Sequence, residues 1–123
     1  MKIIKLKKDF EDKRGFISDL FYNKSIKHIS LISSKKGSVR GNNYFKKNYQ
    51  YIYNLGTTFE YWYKKIGQKK AKKKLIKKNQ LLLTPPLEVH ALKFHTNNKL
   101  LEFSTLSILQ KNRLKDSVKI KIL

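Results

Sequence analysis

At 123 residues with 40% hydrophobic content, the chain is long enough for one packed domain and too apolar for wholesale disorder. The lack of cysteine excludes disulfides, thiolate nucleophiles and sulfur-ligated metals, and no run of about 18 apolar residues exists to span a membrane. The net charge is +21, yet only Arg14, Arg40 and Arg113 are arginines among 29 basic residues. Nucleic-acid readers lean on arginine's fork, so a lysine excess beside abundant Asn, Ile and Tyr reads first as the codon bias of an AT-rich genome.

The opening MKIIKLKKDFEDKRG is charged every few residues and holds no apolar block, which predicts a soluble, cytoplasmic protein without a signal peptide. Residues 2–6 alternate and predict a first strand, residues 9–15 a turn, and residues 16–22 (FISDLFY) a second strand with Asp19 at its centre. A loop at 23–27 precedes HISLIS at 28–33, whose small polar and apolar residues alternate as in a half-buried strand. Lys35-Lys36-Gly37 turns the chain, and Arg40-Gly41 reads as a further turn. Residues 49–55 (YQYIYNL) are strongly β-prone, and Gly56-Thr57 predicts a tight turn into 58–65 (TFEYWYKK) as the other arm of a hairpin. In that arm Phe59, Tyr61 and Tyr63 share one face, and Glu60, Trp62 and Lys64 the other. Residues 66–68 turn again.

AKKKLIKK at 71–78 has helical propensity, or reads as a solvated edge strand whose lysines discourage pairing with another chain. Strands follow at 80–84, 89–94 and 100–108, with Asn97-Asn98 as a hairpin turn between the last two. SVKIKIL at 117–123 alternates as a final strand, placed outside the main barrel. Eight to ten short strands with regular turns and no long helix predict an all-β sandwich or barrel.

Two stretches stand out within this pattern. Residues 37–56 (GSVRGNNYFKKNYQYIYNLG) set an arginine-glycine pair before aromatic alternation that stops at a glycine. Residues 81–91 (LLLTPPLEVHA) run from an apolar strand through Pro85-Pro86 to His90, and prolines lack the donor a central ladder needs. Together with FEDKRGF at 10–16, their order resembles the cupins that isomerise or epimerise nucleotide-linked keto-sugars for surface polysaccharides. Those 3,4-ketoisomerases and dTDP-4-dehydrorhamnose 3,5-epimerases open on F-x-D-x-R-G. They then show R-G-x-H-x-H-K or R-G-x-H-x-Q, a strand ending in glycine, and I-P-P-x-x-x-H-A. Here the match runs through Arg40-Gly41-Asn42-Asn43-Tyr44-Phe45-Lys46, then Gly56, then Thr84-Pro85-Pro86-Leu87-Glu88-Val89-His90-Ala91.

The resemblance implies a single cupin domain over residues 1–123, a jelly-roll barrel, and a homodimer. The implied ligand is a dTDP- or UDP-linked 4-keto-6-deoxy sugar. Asn43 and Phe45 stand where the family has histidines, Gln50 where it has glutamate or glutamine, and only His90 survives. One imidazole and a carboxamide are poor ligands for a first-row metal, so neither a bound metal nor another cofactor is expected.

His90 is the candidate acid or base, since proton abstraction beside a carbonyl needs a group that titrates near working pH. Tyr44 is a second candidate, and the tyrosines at 44, 51 and 53 alternatively fill the barrel or stack on a ring. Arg40 is a candidate clamp for a diphosphate, or else the partner of Glu60 or Glu102. Asn43, Phe45, Lys46 and Gln50 complete the expected substrate-binding set. Asn43 and Gln50 hydrogen-bond hydroxyls but cannot serve as bases. His28 and His95 are expected to be structural or exposed. Arg40, Asn43, Gln50 and His90 are expected to converge through the resemblance alone.

Two further readings stay open. One is a cupin that binds sugar, or another small molecule, without turnover, or whose barrel is filled by its own side chains. The other is a basic β-barrel for single-stranded nucleic acid, with Tyr51, Tyr61, Trp62 and Tyr63 near the lysines of 69–78.

Overall fold

A computed structural model describes residues 1–107 and 115–123. Among them lie twelve strands: β1 (Lys2–Ile4), β2 (Phe10–Asp12), β3 (Gly15–Ile17), β4 (His28–Ser34), β5 (Val39–Phe45), β6 (Gln50–Asn54), β7 (Phe59–Lys65), β8 (Lys72–Ile76), β9 (Leu81–Thr84), β10 (Glu88–Lys93), β11 (Asn98–Ser104) and β12 (Ser117–Lys119). They form two five-stranded antiparallel sheets, β1-β9-β6-β11-β4 and β12-β5-β10-β7-β8, with β2 and β3 as a separate hairpin. The two sheets face one another as the expected jelly-roll barrel.

Strands that follow one another in sequence mostly fall in opposite sheets, and this corrects several local expectations. Residues 50–54 and 59–65 are not two arms of a hairpin. β6 pairs with β9 and β11, whereas β7 pairs with β8 and β10. Gly56 is where the chain crosses between sheets, and a Cβ there would collide with the Asn98 side chain. Asn98 likewise belongs to a strand and not to a hairpin turn, since β10 and β11 lie in different sheets. β11 ends at Ser104, short of the predicted end, and Ile108 lies outside the described residues.

The apolar run at 16–22 is strand only through Ile17, and the expected 9–15 turn is mostly strand too, since β2 at Phe10–Asp12 pairs with β3 and leaves only residues 13 and 14 to turn. Beyond Ile17, Leu20 and Phe21 lie over the outer face of the first sheet, with Ile26, and bury Tyr51, Leu81 and Phe103. The Phe21 ring meets Tyr51 and Phe103 edge-on at 5.0 and 4.8 Å, so these aromatics pack as a cluster and do not extend a sheet. The lysine-rich stretch is the edge strand β8, not a helix. Ile76 is fully buried while Lys72, Lys73 and Lys74 are exposed. Residues 117–123 pair only through Lys119, and they do so inside the second sheet, against β5.

Between the sheets Ile52, Leu82 and Leu100 meet Phe59, Tyr61, Ile76 and Leu92, with Phe94 beside them. Each such side chain contributes roughly 1.5–3 kcal/mol by leaving water. Ile52, Leu92 and Leu100 of this packing also border a cavity whose remaining walls carry many polar side chains.

Strand β5, between β12 and β10 in the second sheet, carries an irregularity. Arg40-Gly41 is not a turn but part of β5, where Gly41 (φ +90°) and Asn42 (φ +55°) are both left-handed. Opposite them, β10 aligns His90 with Asn43 and Ala91 with Gly41, so Asn42 is one extra residue in the ladder. Such a bulge re-aims side chains. A Cβ on Gly41 would approach the His90 carbonyl oxygen to 2.8 Å, a clash with backbone that cannot relax. Gly41→Ala is therefore expected to cost about 2 kcal/mol, from positive φ and this contact, with a clear loss in urea midpoint. A variant as stable as the parent would show that the bulge is not constrained.

Candidate functional site

The cavity between the sheets measures about 510 Å³. Its walls include Arg40, Asn43, Phe45, Gln50 and His90, so five of the seven residues singled out from the sequence face one space. The bulge explains part of this. A regular strand sends alternate residues to opposite faces. One inserted residue lets Arg40 and Asn43 face the cavity together. Tyr44 and Lys46 are not brought to the cavity. Tyr44 pairs with Val118 on the opposite face of β5, and the Lys46 amide donates to the Asp116 carbonyl at 2.8 Å.

Arg40 reaches from the second sheet to the first. Its Nε donates to Ser34 Oγ and its Nη2 to the Ser33 carbonyl, each at 2.7 Å. The guanidinium is thereby oriented with donors to spare. The alternative pairing with Glu60 is not made, because that carboxylate accepts from Trp62 Nε1 and contacts His95 Nε2 on the protein's surface. Those two hydrogen bonds, the one from His95 first, lower the Glu60 pKa. Asn43 is nearly buried and donates to Ser117 Oγ at 2.6 Å.

His90 is 2% exposed and sits between two rings. It stacks on Tyr61, with centroids 6.0 Å apart and planes 4° from parallel, and meets the Phe45 ring at 5.6 Å. Its Nδ1 lies 3.2 Å from the Glu88 carbonyl. A carbonyl only accepts, so Nδ1 carries the proton and Nε2 holds the lone pair. Burial holds the imidazole pKa down to about 4, and the nearby charge of Lys119 adds to the lowering, against the opposing Glu88 hydrogen bond. The Tyr61 hydroxyl is tied to Thr84 Oγ1 at 2.5 Å and Glu88 Oε1 at 3.3 Å, and burial raises its pKa well above the ordinary value.

Sequence reasoning missed part of the wall. Glu102 and Ser104 of β11, Ser117 and Lys119 of β12, and His28 of β4 also line the cavity. His28 had been expected among structural or exposed residues. It is half-buried on the cavity side, with Nε2 2.7 Å from Ser30 Oγ. Asn48 donates to Ser104 Oγ at 3.2 Å, and Ser104 donates to Glu102 Oε1 at 3.3 Å, a chain leading to the cavity's carboxylate. Strand alternation through HISLIS was the available signal for His28. Among the described residues no group of three or more His, Asp or Glu converges as a metal site would require. This donor set does not fit a first-row metal.

No protein-family model matches the chain, and no curated protein matches its sequence. Solved structures do match. The capsular polysaccharide assembling protein CapF of Staphylococcus aureus superposes with a TM-score of 0.70 at 12% identity over 97% of this chain, which spans only 33% of that protein. The 3,4-ketoisomerase QdtA of Thermoanaerobacterium thermosaccharolyticum, solved as a mutant in complex with TDP-4-keto-6-deoxyglucose, gives 0.70 at 22% identity, over 96% of this chain and 86% of that one. WlaRA, a TDP-fucose-3,4-ketoisomerase from Campylobacter jejuni, gives 0.75 at 18% identity, over 95% and 87%. At these identities the likeness is one of fold, and that fold is the cupin barrel.

The buried imidazole makes stability depend on pH. The unfolded ring takes a proton near pH 6.5 and the native ring only near pH 4, so the unfolded state binds more protons between those values. The contribution is complete above pH 6.5 and is lost as pH falls toward 4, by up to about 3 kcal/mol. Urea titrations at pH 7, 5.5 and 4.5 should show this loss reduced in His90→Gln. Parallel pH profiles for parent and variant would mean that His90 is not buried neutral.

Proposed function

We propose that this protein binds a dTDP- or UDP-linked 4-keto-6-deoxy sugar in the cavity of its cupin barrel, within surface-polysaccharide synthesis. The observation that carries this reading is the meeting of Arg40, Asn43, Gln50 and His90 around one cavity, in a fold shared with ketoisomerases of TDP-sugars. Arg40 would grip phosphate through its uncommitted donors. Asn43 and Gln50 would bond sugar hydroxyls, and Phe45 beside His90 would pack on the sugar ring. The same reading takes the chain to be one domain acting as a cytoplasmic homodimer.

Turnover, on this reading, is metal-free proton transfer. Moving a carbonyl between adjacent sugar carbons removes a proton from the hydroxyl-bearing carbon while the carbonyl oxygen gains one, giving an enediol. A proton then returns to the former carbonyl carbon as the other hydroxyl gives one up. His90 Nε2, unprotonated at neutral pH, is the group for that shuttle. Phe45 and Asn43, at the family's histidine positions, have no proton to exchange. They favour the second reading, a cupin that holds the sugar nucleotide and turns it over slowly or not at all.

Calorimetric titration with dTDP and UDP, beside a short mixed RNA at two salt concentrations, tests the proposal. Saturable nucleotide binding that persists at the higher salt is expected. Arg40→Ala should weaken it at least about tenfold, the scale of one charge-assisted phosphate contact. Arg40→Lys should recover part of the loss and guards against a fold defect from the broken Ser33 and Ser34 bonds. Binding of RNA alone, collapsing as salt rises, would replace this reading with a nucleic-acid partner.

A further inference from the structure

The final strand contributes a cation to the cavity. β12 aligns Lys119 with Asn43, on the cavity side of the second sheet. Its Nζ lies 3.4 Å from the carbonyl oxygen of Gly41, the residue after Arg40. The strand is held at both ends. Before it, the Asp116 carboxylate accepts from the Lys47 and Asn48 amides at 3.0 Å each. After it, Asn42 Oδ1 accepts from the Ile122 and Leu123 amides at 2.9 and 3.0 Å, and the Asn42 carbonyl from the Ile120 amide at 2.9 Å.

Asn42 is the extra residue of the bulge. The irregularity that sets Arg40 on the cavity thus also anchors the strand bearing Lys119, and both cations line the same cavity. The oriented guanidinium offers a planar fork, and the ammonium a movable point charge. We propose that Lys119 and Arg40 form a two-point anion subsite that takes the diphosphate of the ligand, with Lys119 as a binding residue. Two cations on one cavity, with the Glu102 carboxylate on the β11 wall, are what argue for an anion. Its identity as a nucleoside diphosphate rests on the sugar-nucleotide reading.

Calorimetry with dTDP, thymidine and inorganic pyrophosphate on the full chain tests this, with Lys119→Ala, Lys119→Arg and the exposed neighbour Lys121→Ala. Lys119→Ala should weaken dTDP and pyrophosphate about tenfold, leave thymidine unchanged and keep the parent's melting temperature. Lys119→Arg should restore most of the affinity, and Lys121→Ala should behave as the parent. If dTDP binds the parent and Lys119→Ala equally, the subsite is overturned while the sugar-nucleotide reading stands. If only pyrophosphate binds and depends on Lys119, the subsite stands and that reading falls. If neither anion binds the parent, or Lys121→Ala weakens binding as much as Lys119→Ala, the subsite is overturned.

Discussion

A single inserted residue sets the geometry of this barrel. Opposite an unbroken β10, the strand β5 must fit Asn42 between two ladder positions, and it does so with two left-handed residues in succession. Only glycine takes such a conformation without cost, and the backbone of β10 leaves no room for a side chain at Gly41. Three results follow from this one irregularity. Arg40 points across to Ser33 and Ser34, Asn43 points inward to Ser117, and Asn42 is freed to hold the chain after β12. The polar wall of the cavity is built from these placements, while the apolar core needs only ordinary alternation.

The charge of the cavity is less one-sided than that of the surface. A chain with net charge +21 presents lysines outward almost everywhere, where water screens them. At the cavity, the exposed Arg40 and Lys119 share the wall with the buried Glu102 carboxylate and a neutral imidazole. The low polarity around His90 keeps its ring uncharged, and the Glu88 carbonyl fixes its tautomer. Total charge therefore says little about this site, which these few polar groups define.

How much of this was legible in the sequence depended on whether a signal was local. Pro85-Pro86 marked the end of β9, and TFEYWYKK declared its buried face through Phe59, Tyr61 and Tyr63. The motif order grouped His90 with Arg40, and both line one cavity. Pairing was not legible, because a glycine that crosses between sheets and one that closes a hairpin look alike, as Gly56 demonstrates. β11 gave no alternation signal because both its faces are covered, with Leu101 and Phe103 packed outward and Leu100 and Glu102 inward. In SVKIKIL the usual rule turns valine and isoleucine toward the core. Here Ser117 and Lys119 face inward because the space they meet is a polar cavity.

The strand order also has a kinetic side. Among the described residues, only β2 with β3 and β7 with β8 are neighbours both in sequence and in space, and every other ladder joins distant segments. Folding must close long loops before those ladders offset the lost entropy, which puts this barrel among slow, all-or-none folders. During that interval β7–β8 is the longer hairpin available from local sequence, and its free edge is a row of exposed lysines. Like charges on that edge would keep two unfinished chains apart, so the lysines of β8 suit a guard against mispairing during assembly.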